Sequence, residues 1–321
     1  MLRPLLAAAL AAVTLAGPAF AQAFPAKPIE LIVPYPPGGA ADIIGRLAAK
    51  EMEPLLGQPV VVLNKAGAGT IIGAQAAAGA KADGYTLFIS SNTTFSMNPA
   101  VHEKLPYDSA RQFEPIGMVG AIGLAVLANP AAPYPTLASL VEAAKAKPGA
   151  ISYASFGNAT TSHFAAEMFL QRAGINLLHV PYKGSSPAMT DLIGGVVPIS
   201  VDTVTATLPQ LKAGKVKALA VTSARRSQFL PEVPTIAESG YAGFDLTAWV
   251  AIVAPKGLPK DARDTLRRAL EKALAAPEFK AKLAQSGVEA GFLPLDDWEA
   301  FVTADTARMK AVATKANIKA E

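Results

Sequence analysis

Two adjacent glycines, Gly38 and Gly39, separate an apolar segment from a helical pattern that begins at Asp42, and a loop of this kind can bind an anion. Glycine lets a chain turn sharply because it has no Cβ atom. Such a turn directs backbone N–H groups, and the positive end of the following helix dipole, at one small volume. An ordinary strand-to-helix turn has the same signature, so both interpretations are open at this point. For anion binding, we expect both glycines to adopt conformations that a Cβ atom would prevent.

Groups suited to catalysis are scarce. The histidines His102, His163 and His179 are far apart in the sequence, and none belongs to an H-x-x-x-H pair. There is no cysteine, no G-x-S-x-G and no G-K-[ST] phosphate loop. His163 falls at a predicted helix start, where a structural hydrogen bond is preferred over a role as general base. Asp202 could act as an acid, contact a ligand or orient a loop, and the last two are favoured because no second carboxylate is evidently paired with it.

Lys183 lies in a polar loop and could either clamp an anion or be an ordinary solvated lysine. Polar loops without a nucleophile and its base predict binding without reaction. The sequence therefore predicts no catalytic residue, no metal site and no cofactor.

Polar loops follow the predicted strands of the first half of the chain. Strands are predicted at residues 29–33, 60–63 and 85–89 from their apolar and β-branched composition. The third strand leads into residues 90–94, which are rich in hydroxyl and amide groups. These loops are expected to carry one side of a binding site.

The same pattern restarts in the second half. Strands are predicted at residues 151–155 and 196–201, followed by the polar segments 156–162 and Asp202-Thr203. Pro198 inside the later strand predicts a sheet edge or a bulge there. In an open α/β sheet, loops at the carboxyl ends of strands form the ligand crevice. Two sets of such loops, one from each half, predict a cleft between two domains.

The N-terminus has the pattern of an export signal. Arg3 gives a positive start, residues 5–15 form an apolar run too short to span a bilayer, and Ala21-Gln22-Ala23 fits a small-x-small cleavage site. Cleavage is therefore predicted before Phe24, with an N-terminal membrane anchor as the alternative. An exported chain without cysteine is compatible with the bacterial periplasm.

The charge pattern argues against a nucleic-acid partner. The formal net charge is +4, and basic residues are interspersed with acidic ones, as in residues 260–264. The long uncharged run at residues 115–133 is interrupted by glycine and proline, so it predicts a buried strand and not a membrane-spanning helix. The mature chain is long enough for two α/β domains.

Several short motifs occur in a highly specific order across essentially the whole mature chain. They are Lys27-Pro28-Ile29, Ile32-Val33-Pro34 and Pro37-Gly38-Gly39 with Asp42; Gly57-Gln58-Pro59-Val60-Val61-Val62; Gly67-Ala68-Gly69; Asp83-Gly84-Tyr85-Thr86-Leu87; Val180-Pro181-Tyr182-Lys183-Gly184; Asp191-Leu192 with Gly194-Gly195; and Trp249 with Ala254-Pro255. In these motifs the sequence resembles the exported solute receptors of the tripartite tricarboxylate transporter family, the Bug-type receptors of bacteria.

The resemblance implies an α/β fold, namely the two-domain periplasmic binding protein fold of type II. In that fold two doubly wound sheets are joined by two crossing strands, with a ligand cleft between them. The expected organisation is a signal peptide at residues 1–23, a first domain at residues 24–124 plus 250–321, and a second domain at residues 125–249.

The resemblance also implies a periplasmic receptor that captures a small organic carboxylate and delivers it to the membrane subunits of a tripartite tricarboxylate-type transporter. The receptor is expected to be a monomer that does not itself span the membrane, and to hold the ligand through backbone N–H groups, hydroxyls and water. The alternative is an exported α/β enzyme that acts on a carboxylate or ester through Asp202 and His163. The expected ligand-binding residues are Tyr35, Pro37, Gly38, Gly39, Ala40, Asp42, Ser91, Asn92, Thr93, Gly157, Asn158, Thr160, Thr161, His163, Asp202 and Thr203.

Overall fold

A computed structural model describes residues 24–319, in which strands and helices alternate along the chain. The predicted export signal, residues 1–23, lies outside the described residues. The strands are β1 (Ile29–Val33), β2 (Val60–Asn64), β3 (Thr86–Ser91), β4 (Phe113–Ala128), β5 (Ser152–Ser155), β6 (Leu178–Pro181), β7 (Ile199–Thr203), β8 (Lys217–Val221), β9 (Thr247–Pro255) and β10 (Glu289–Leu293).

The helices cover the faces of the sheets. They are α1 (Ala40–Leu56), α2 (Ile71–Ala78), α3 (Asn98–Val101), α4 (Leu137–Ala146), α5 (Thr161–Ala173), α6 (Ser185–Ile193), α7 (Val204–Lys212), α8 (Lys260–Ala275), α9 (Pro277–Gln285) and α10 (Trp298–Lys315). A 3₁₀ turn at Ala68–Thr70 and a π-helical turn at Thr93–Met97 complete the helical segments. Among residues 24–319, no helix is both long enough and apolar enough to span a bilayer.

The first sheet contains β2, β1, β3, β9, β4 and β10 in that order. β1 is parallel to β2 and β3, whereas the pairs β3–β9, β9–β4 and β4–β10 are antiparallel. The carboxyl ends of the three parallel strands lie at one edge, so the loops that follow them leave the sheet together.

The second sheet contains β8, β4, β7, β5 and β6 in that order. β5 is parallel to β6 and β7, and β4 is antiparallel to β7 and β8. The loops after β5, β6 and β7 therefore also leave their sheet at a common edge.

β4 belongs to both sheets. It pairs with β9 from Phe113 to Gly123 and with β7 from Leu124 to Ala128. The chain crosses between the sheets a second time at Leu246, whose N–H donates to the Thr222 carbonyl, just before β9 begins. The first crossing lies within β4, and the second lies just before β9.

The β1–α1 unit forms as the glycine pattern predicts, with a small shift. Helix α1 begins at Ala40, two residues before the predicted start, because Gly39 occupies the N-cap position in an extended conformation. Asp42 lies in the first turn, where a carboxylate interacts favourably with the helix dipole. Gly57 ends the helix in the left-handed conformation, and its N–H donates to the Glu53 carbonyl.

The strand predicted at residues 196–201 is displaced toward the carboxyl end, and the predicted edge position is wrong. β7 begins at Ile199, directly after Pro198, so the missing N–H of the proline does not interrupt the ladder. β7 pairs with β4 on one side and β5 on the other, which makes it an interior strand. The shift makes Asp202 and Thr203 the last two residues of the strand.

An aromatic cluster supports the loop that follows β3. The Phe95 ring, in the π-helical turn, stacks on Trp249 with centroids 5.7 Å apart and meets Trp298 edge-on at 4.9 Å. The Trp298 indole N–H donates to the Ser109 carbonyl, and the Trp249 indole N–H donates to Asp305. Because both buried indole N–H groups have acceptors, the cluster holds the turn in place without leaving a buried donor unpaired.

We expect Gly73→Ala to destabilise the protein. A Cβ atom on Gly73, in α2, would lie 2.7 Å from Pro34 Cβ and 2.9 Å from the Lys65 carbonyl oxygen. Overpacking against backbone costs about 1–3 kcal/mol, which would appear as a lower free energy of unfolding in urea. Gly79→Ala, at the other end of α2, is the control because its Cβ would be 3.4 Å from its nearest neighbour. A Gly73→Ala variant as stable as Gly79→Ala would contradict this packing.

Candidate functional site

A small cavity lies between the loops of the two sheets, and the N-termini of four helices meet there. Its volume is about 30 Å³, which is room for about two water molecules. The four N-termini are contributed by Gly39, Ala40 and Ala41 of α1, by Thr161 of α5, by Ser185 of α6, and by Thr203, the N-cap of α7. The lining residues are Tyr35, Gly39, Ala40, Ala41, Ser91, Ile122, Phe156, Thr161, Ser185, Thr203, Ala248 and Val250.

Asp42 holds the first loop in place from behind the cavity. Its carboxylate accepts hydrogen bonds from the Gly38 N–H at 3.0 Å, from Asn64 Nδ2 at 2.8 Å and from Arg46 Nε at 3.1 Å. Burial raises the pKa of Asp42, but the hydrogen bonds from Arg46, Asn64 and Gly38 outweigh it and lower the pKa below its usual range. Asp42 does not line the cavity, and the Gly38 N–H that it binds is already used within the protein.

The two glycine positions of the loop differ in whether a larger residue could occupy them. Gly38 has φ +89°, and a Cβ atom there would lie 2.8 Å from Ser186 Oγ of the other half. Gly39 has φ −80° and ψ 166°, which any residue adopts, and the nearest neighbours of its Cβ would be 3.9 Å away. The expectation that the loop conformation requires a glycine is therefore correct for Gly38 and wrong for Gly39.

The loops after β3 and β5 are joined across the cavity by hydroxyl groups. Thr93 Oγ1 accepts from the Thr161 N–H at 3.0 Å, and Thr161 Oγ1 donates to Asn92 Oδ1 at 3.0 Å. Ser186 Oγ also donates across the halves, to the Pro37 carbonyl at 2.8 Å. Asn92, Thr93 and Pro37 thus connect the two halves and do not line the cavity.

A pair of aromatic rings closes one side of the cavity. Tyr35 from the first half and Phe156 from the second meet edge-on, with centroids 6.0 Å apart and planes at 89°. Burial raises the pKa of Tyr35 to about 12; neighbouring Thr93 and Ser91 hydroxyls oppose this shift and the Asp202 carboxyl adds to it. Tyr35 is therefore a neutral hydrogen-bonding group at any physiological pH.

Asp202 lies behind the cavity wall and is fully buried. Its Oδ1 accepts from Ser185 Oγ at 2.8 Å and from the Thr203 N–H at 2.6 Å. Its Oδ2 has no hydrogen-bond partner among the described residues. Burial raises the pKa of Asp202 to about 6, and the hydrogen bonds from Ser185 and Thr203 only partly offset this rise. The carboxyl is thus hydrogen-bonded directly to Ser185 and Thr203, which both line the cavity.

The loop after β5 is shaped by groups that do not reach the cavity. The Gly157 carbonyl accepts from Thr160 Oγ1 at 2.7 Å. His163 Nδ1 accepts from the Ala159 N–H at 3.1 Å, and the His163 ring stacks on His179 at 4.1 Å. Burial, and to a lesser extent His179, lowers the pKa of His163 to about 3, so the ring is neutral. His163 thus makes a structural hydrogen bond that shapes this loop.

A larger groove lies next to the cavity and contains Gly157 and Asn158. We call it the outer groove; its volume is about 210 Å³. Its lining residues are Pro34, Tyr35, Pro36, Ala66, Gly67, Ala68, Gly69, Thr70, Phe156, Gly157, Asn158, Pro181, Tyr182, Lys183 and Gly184.

Several cavity-lining residues were not predicted from the sequence. Ser185 lies in a polar segment that follows β6, and the hydroxyls of this segment were a usable signal. Ile122, Ala248 and Val250 are apolar strand residues, and their position depends on the β4–β9 register. Within residues 24–319, no group of three or more histidine, aspartate or glutamate side chains is placed to bind a metal ion.

We expect Asp202→Asn to become more stable relative to wild type as the pH rises. A carboxyl whose folded-state pKa is raised is destabilising once it ionises, and this penalty is absent below its unfolded-state pKa. A shift from 3.8 to about 6 corresponds to a stability difference that grows by about 1.4 kcal/mol between about pH 5 and about pH 7.5. Urea unfolding of both proteins at the two pH values measures this difference.

Asp42→Asn is the matched control. Because the pKa of Asp42 is lowered, its stabilising effect is complete above the unfolded-state pKa, and the variant should lose the same stability at both pH values. A pH-independent difference between Asp202→Asn and wild type would contradict the raised pKa of Asp202.

Known proteins resemble this chain in sequence and in structure. BugT of Bordetella pertussis is 36% identical over 311 residues, which cover 97% of this chain and 95% of that protein. The structure of the periplasmic binding protein BugD superposes with a TM-score of 0.87 at 37% identity, covering 92% of this chain and 99% of BugD. An R. palustris protein solved with adipate has a TM-score of 0.89 at 32% identity, covering 92% of this chain and 99% of its own. The periplasmic binding protein fold predicted from the sequence is thus confirmed.

The family comparison covers most of the described residues. Residues 44–318 match the family described as tripartite tricarboxylate transporter family receptor. This match and the similarity to BugT agree with the resemblance found in the sequence motifs. The chain therefore belongs to the receptor family of the tripartite tricarboxylate transporters.

Proposed function

We propose that this protein is a periplasmic solute receptor that captures a small carboxylate-bearing molecule and delivers it to the membrane subunits of a tripartite tricarboxylate-type transporter. The observation that carries the proposal is the meeting of four helix N-termini at one small cavity. Each N-terminus contributes a partial positive charge, which favours an anion, although the N–H groups of Thr161 and Thr203 already have acceptors within the protein. The proposal names no catalytic residue and no cofactor.

The chemistry of the lining fits a carboxylate. Ser91, Thr161, Ser185 and Thr203 supply hydroxyls, and residues 39–41 present the first turn of α1. Ile122 and Val250 give an apolar wall that can pack on a carbon chain. Similar proteins have been solved with adipate and with malate, which are both dicarboxylates.

The size of the cavity supports a hinged mechanism. A volume of about 30 Å³ is too small for a dicarboxylate, so the walls must separate to admit one. We propose that residues 24–124 plus 250–319 move as one domain and residues 125–249 as the other, about the two crossings. The hydrogen bonds Ser186–Pro37 and Thr161–Thr93 would break on opening and re-form around the ligand.

The enzyme alternative receives less support from the geometry. His163 Nδ1 already accepts from the Ala159 N–H, and Asp202, whose Oδ2 has no partner among the described residues, is buried and does not line the cavity. A general base needs a free acceptor within reach of the reacting proton. We therefore assign both residues to positioning the loops.

The test is isothermal titration calorimetry with malate, succinate and adipate. We expect stoichiometric, reversible binding of at least one of them, and no binding of the neutral diamide of the same acid. Chromatographic detection of a reaction product after incubation would favour the enzyme. Binding of the diamide as tightly as the acid would contradict anion recognition.

We also expect the mature protein to begin at Phe24 and to be released into the periplasm. Ala21-Gln22-Ala23 supplies the cleavage pattern. Intact-mass measurement of protein from a periplasmic extract tests this expectation, and a mature chain that still carries Arg3 would contradict it.

We expect Gly38→Ala to weaken ligand binding by about tenfold or more, which is about 1.4 kcal/mol. A Cβ atom on Gly38 meets Ser186 Oγ of the other half, so the closed form is penalised more than the open form. Calorimetry with the tightest ligand measures the loss, and small-angle scattering measures the closure.

Two further variants separate this contact from backbone strain. Gly57→Ala imposes a similar positive φ, but no atom lies within 4 Å of its Cβ, so its affinity should equal that of wild type. Adding Ser186→Gly to Gly38→Ala removes the clash and should recover part of the affinity. Equal losses for Gly38→Ala and Gly57→Ala would contradict the role of the contact between the halves.

A further inference from the structure

A further space between the two halves borders the crossing strands. We call it the hinge groove; its volume is about 280 Å³. Gly287 and Glu289 contribute to it from the first half, and residues 223–229 contribute from the second half, so its shape depends on how the halves are placed. The lining residues are Gly123, Ser223, Arg225, Arg226, Ser227, Gln228, Phe229, Thr247, Gly287 and Glu289.

The paired strands β4 and β9 separate the hinge groove from the cavity. Ile122 pairs with Ala248, and both residues line the cavity. The next pair, Gly123 with Thr247, lines the hinge groove. Because successive residues of a strand face opposite sides, the two spaces lie on opposite faces of one ribbon. A bend of the ribbon that widens the space on one face therefore narrows the space on the other.

The walls of the hinge groove carry opposite charges on opposite halves. Glu289 lies on the first half, Arg225 and Arg226 lie on the second, and all three residues are exposed. Arg226 Nε is paired with Glu238 Oε2 at 2.9 Å. Among residues 24–319, Glu289 and Arg225 are not within ion-pair distance of each other. The attraction between them is thus weak while the cavity is closed and the groove is wide.

The halves touch at one buried point of the groove. A Cβ atom on Gly287, which has φ +73°, would lie 2.9 Å from Val204 Cγ1 of the second half. A Cβ atom on Gly123 would lie 3.8 Å from Val204 Cγ2. Val204 is therefore packed between the crossing strand and the turn before β10. A close-packed contact resists compression, so this point can act as a pivot while the exposed walls of the groove approach each other.

We propose that the hinge groove narrows when the cavity opens, and that Glu289 and Arg225 then form an ion pair between the halves that stabilises the open form. This inference rests on the proposed function, because it assumes a receptor that closes on its ligand. A ligand must break this ion pair in order to close the cavity. Two residues on the far face of the ribbon therefore help to set the affinity for a ligand that they do not touch.

The expected effect follows from the coupling of binding to closure. When a ligand binds only the closed form, its apparent Kd is the intrinsic Kd divided by the fraction of protein that is closed. Removing a contact that exists only in the open form raises this fraction and lowers the apparent Kd. An exposed ion pair changes such an equilibrium by about twofold to fivefold.

The first test is a double-mutant cycle, read by calorimetry with whichever of malate, succinate and adipate binds most tightly. We expect Glu289→Gln and Arg225→Gln each to tighten binding by about twofold to fivefold, and the double variant to tighten it no further than one of them. In about 1 M NaCl the Kd values of wild type and Glu289→Gln should converge, because salt screens an exposed pair. Glu278→Gln is the matched control, since it removes the same charge from an exposed position of the same half outside the groove.

The second test fills the groove without changing charge. Gln228 is exposed and lines the groove, so Gln228→Trp places bulk where the walls must approach each other. We expect this variant to hinder opening and to bind the same ligand more tightly than wild type. Gln171→Trp, at an exposed position of the same half outside the groove, should bind as wild type does.

Small-angle scattering of the unliganded proteins measures closure without a ligand. We expect the radius of gyration of Glu289→Gln and of Gln228→Trp to be smaller than that of wild type. The radius of Glu278→Gln should equal the wild-type value. Thermal unfolding verifies that each variant is folded.

The outcomes separate this inference from the proposed function. If a dicarboxylate binds wild type but Glu289→Gln and Arg225→Gln bind it as Glu278→Gln does, the ion pair is contradicted and the receptor function stands. If Gln228→Trp binds more weakly than Gln171→Trp, the opposed movement of the two faces is contradicted. If no dicarboxylate binds wild type, the proposed function fails, and an unchanged radius of gyration in Glu289→Gln then contradicts this inference separately.

Discussion

The N–H groups at buried helix N-termini need hydrogen-bond acceptors, and this need is the constraint on which the rest of the structure depends. Buried N–H groups without an acceptor are costly, and four helices begin around one cavity. Asp42 accepts from Gly38 just before α1, and two buried N–H groups at helix starts are satisfied internally: Asp202 accepts from Thr203, and Thr93 accepts from Thr161. The last of these bonds joins the two halves, so under the proposed hinge motion it would form only when the cleft closes. The first turn of α1 is left facing the cavity, where an anionic ligand can complete the set.

The two acidic residues near the cavity show how its electrostatic field is kept favourable to an anion. Asp42 is ionised, but it lies behind the loop and is paired with Arg46. The Arg46 guanidinium therefore offsets the effect of the Asp42 charge at the cavity. Asp202 is closer to the lining and has no cationic partner among residues 24–319; burial raises its pKa to about 6, which reduces its negative charge under mildly acidic conditions. The opposite pKa shifts follow from the same physics, because only Asp42 has a neighbouring guanidinium.

The sequence predicted the elements of this site better than their atomic roles. Of the residues predicted to bind the ligand, Tyr35, Gly39, Ala40, Ser91, Thr161 and Thr203 line the cavity, because parallel strands bring strand-end loops to one edge. The same rule could not show that Asp42 turns away to bind Arg46, since that choice depends on Asn64 of the neighbouring strand. It also could not find Val250, an apolar residue whose place is set by long-range pairing of β9 with β3 and β4. Pro198 misled the strand assignment because its position relative to the ladder is fixed by the partner strands.

The geometry of the two crossings limits how the halves can move. Thr222 N–H donates to the Leu124 carbonyl, and Thr222 Oγ1 donates to the Leu246 carbonyl at 2.7 Å, so one buried threonine ties both crossing segments together. Because β4 is also continuous through both sheets, free swivelling about a single flexible linker is excluded, and opening must twist or bend a paired ribbon. The opening that we propose would separate Pro37 from Ser186 and Thr93 from Thr161 together, while the two sheets keep their internal pairing.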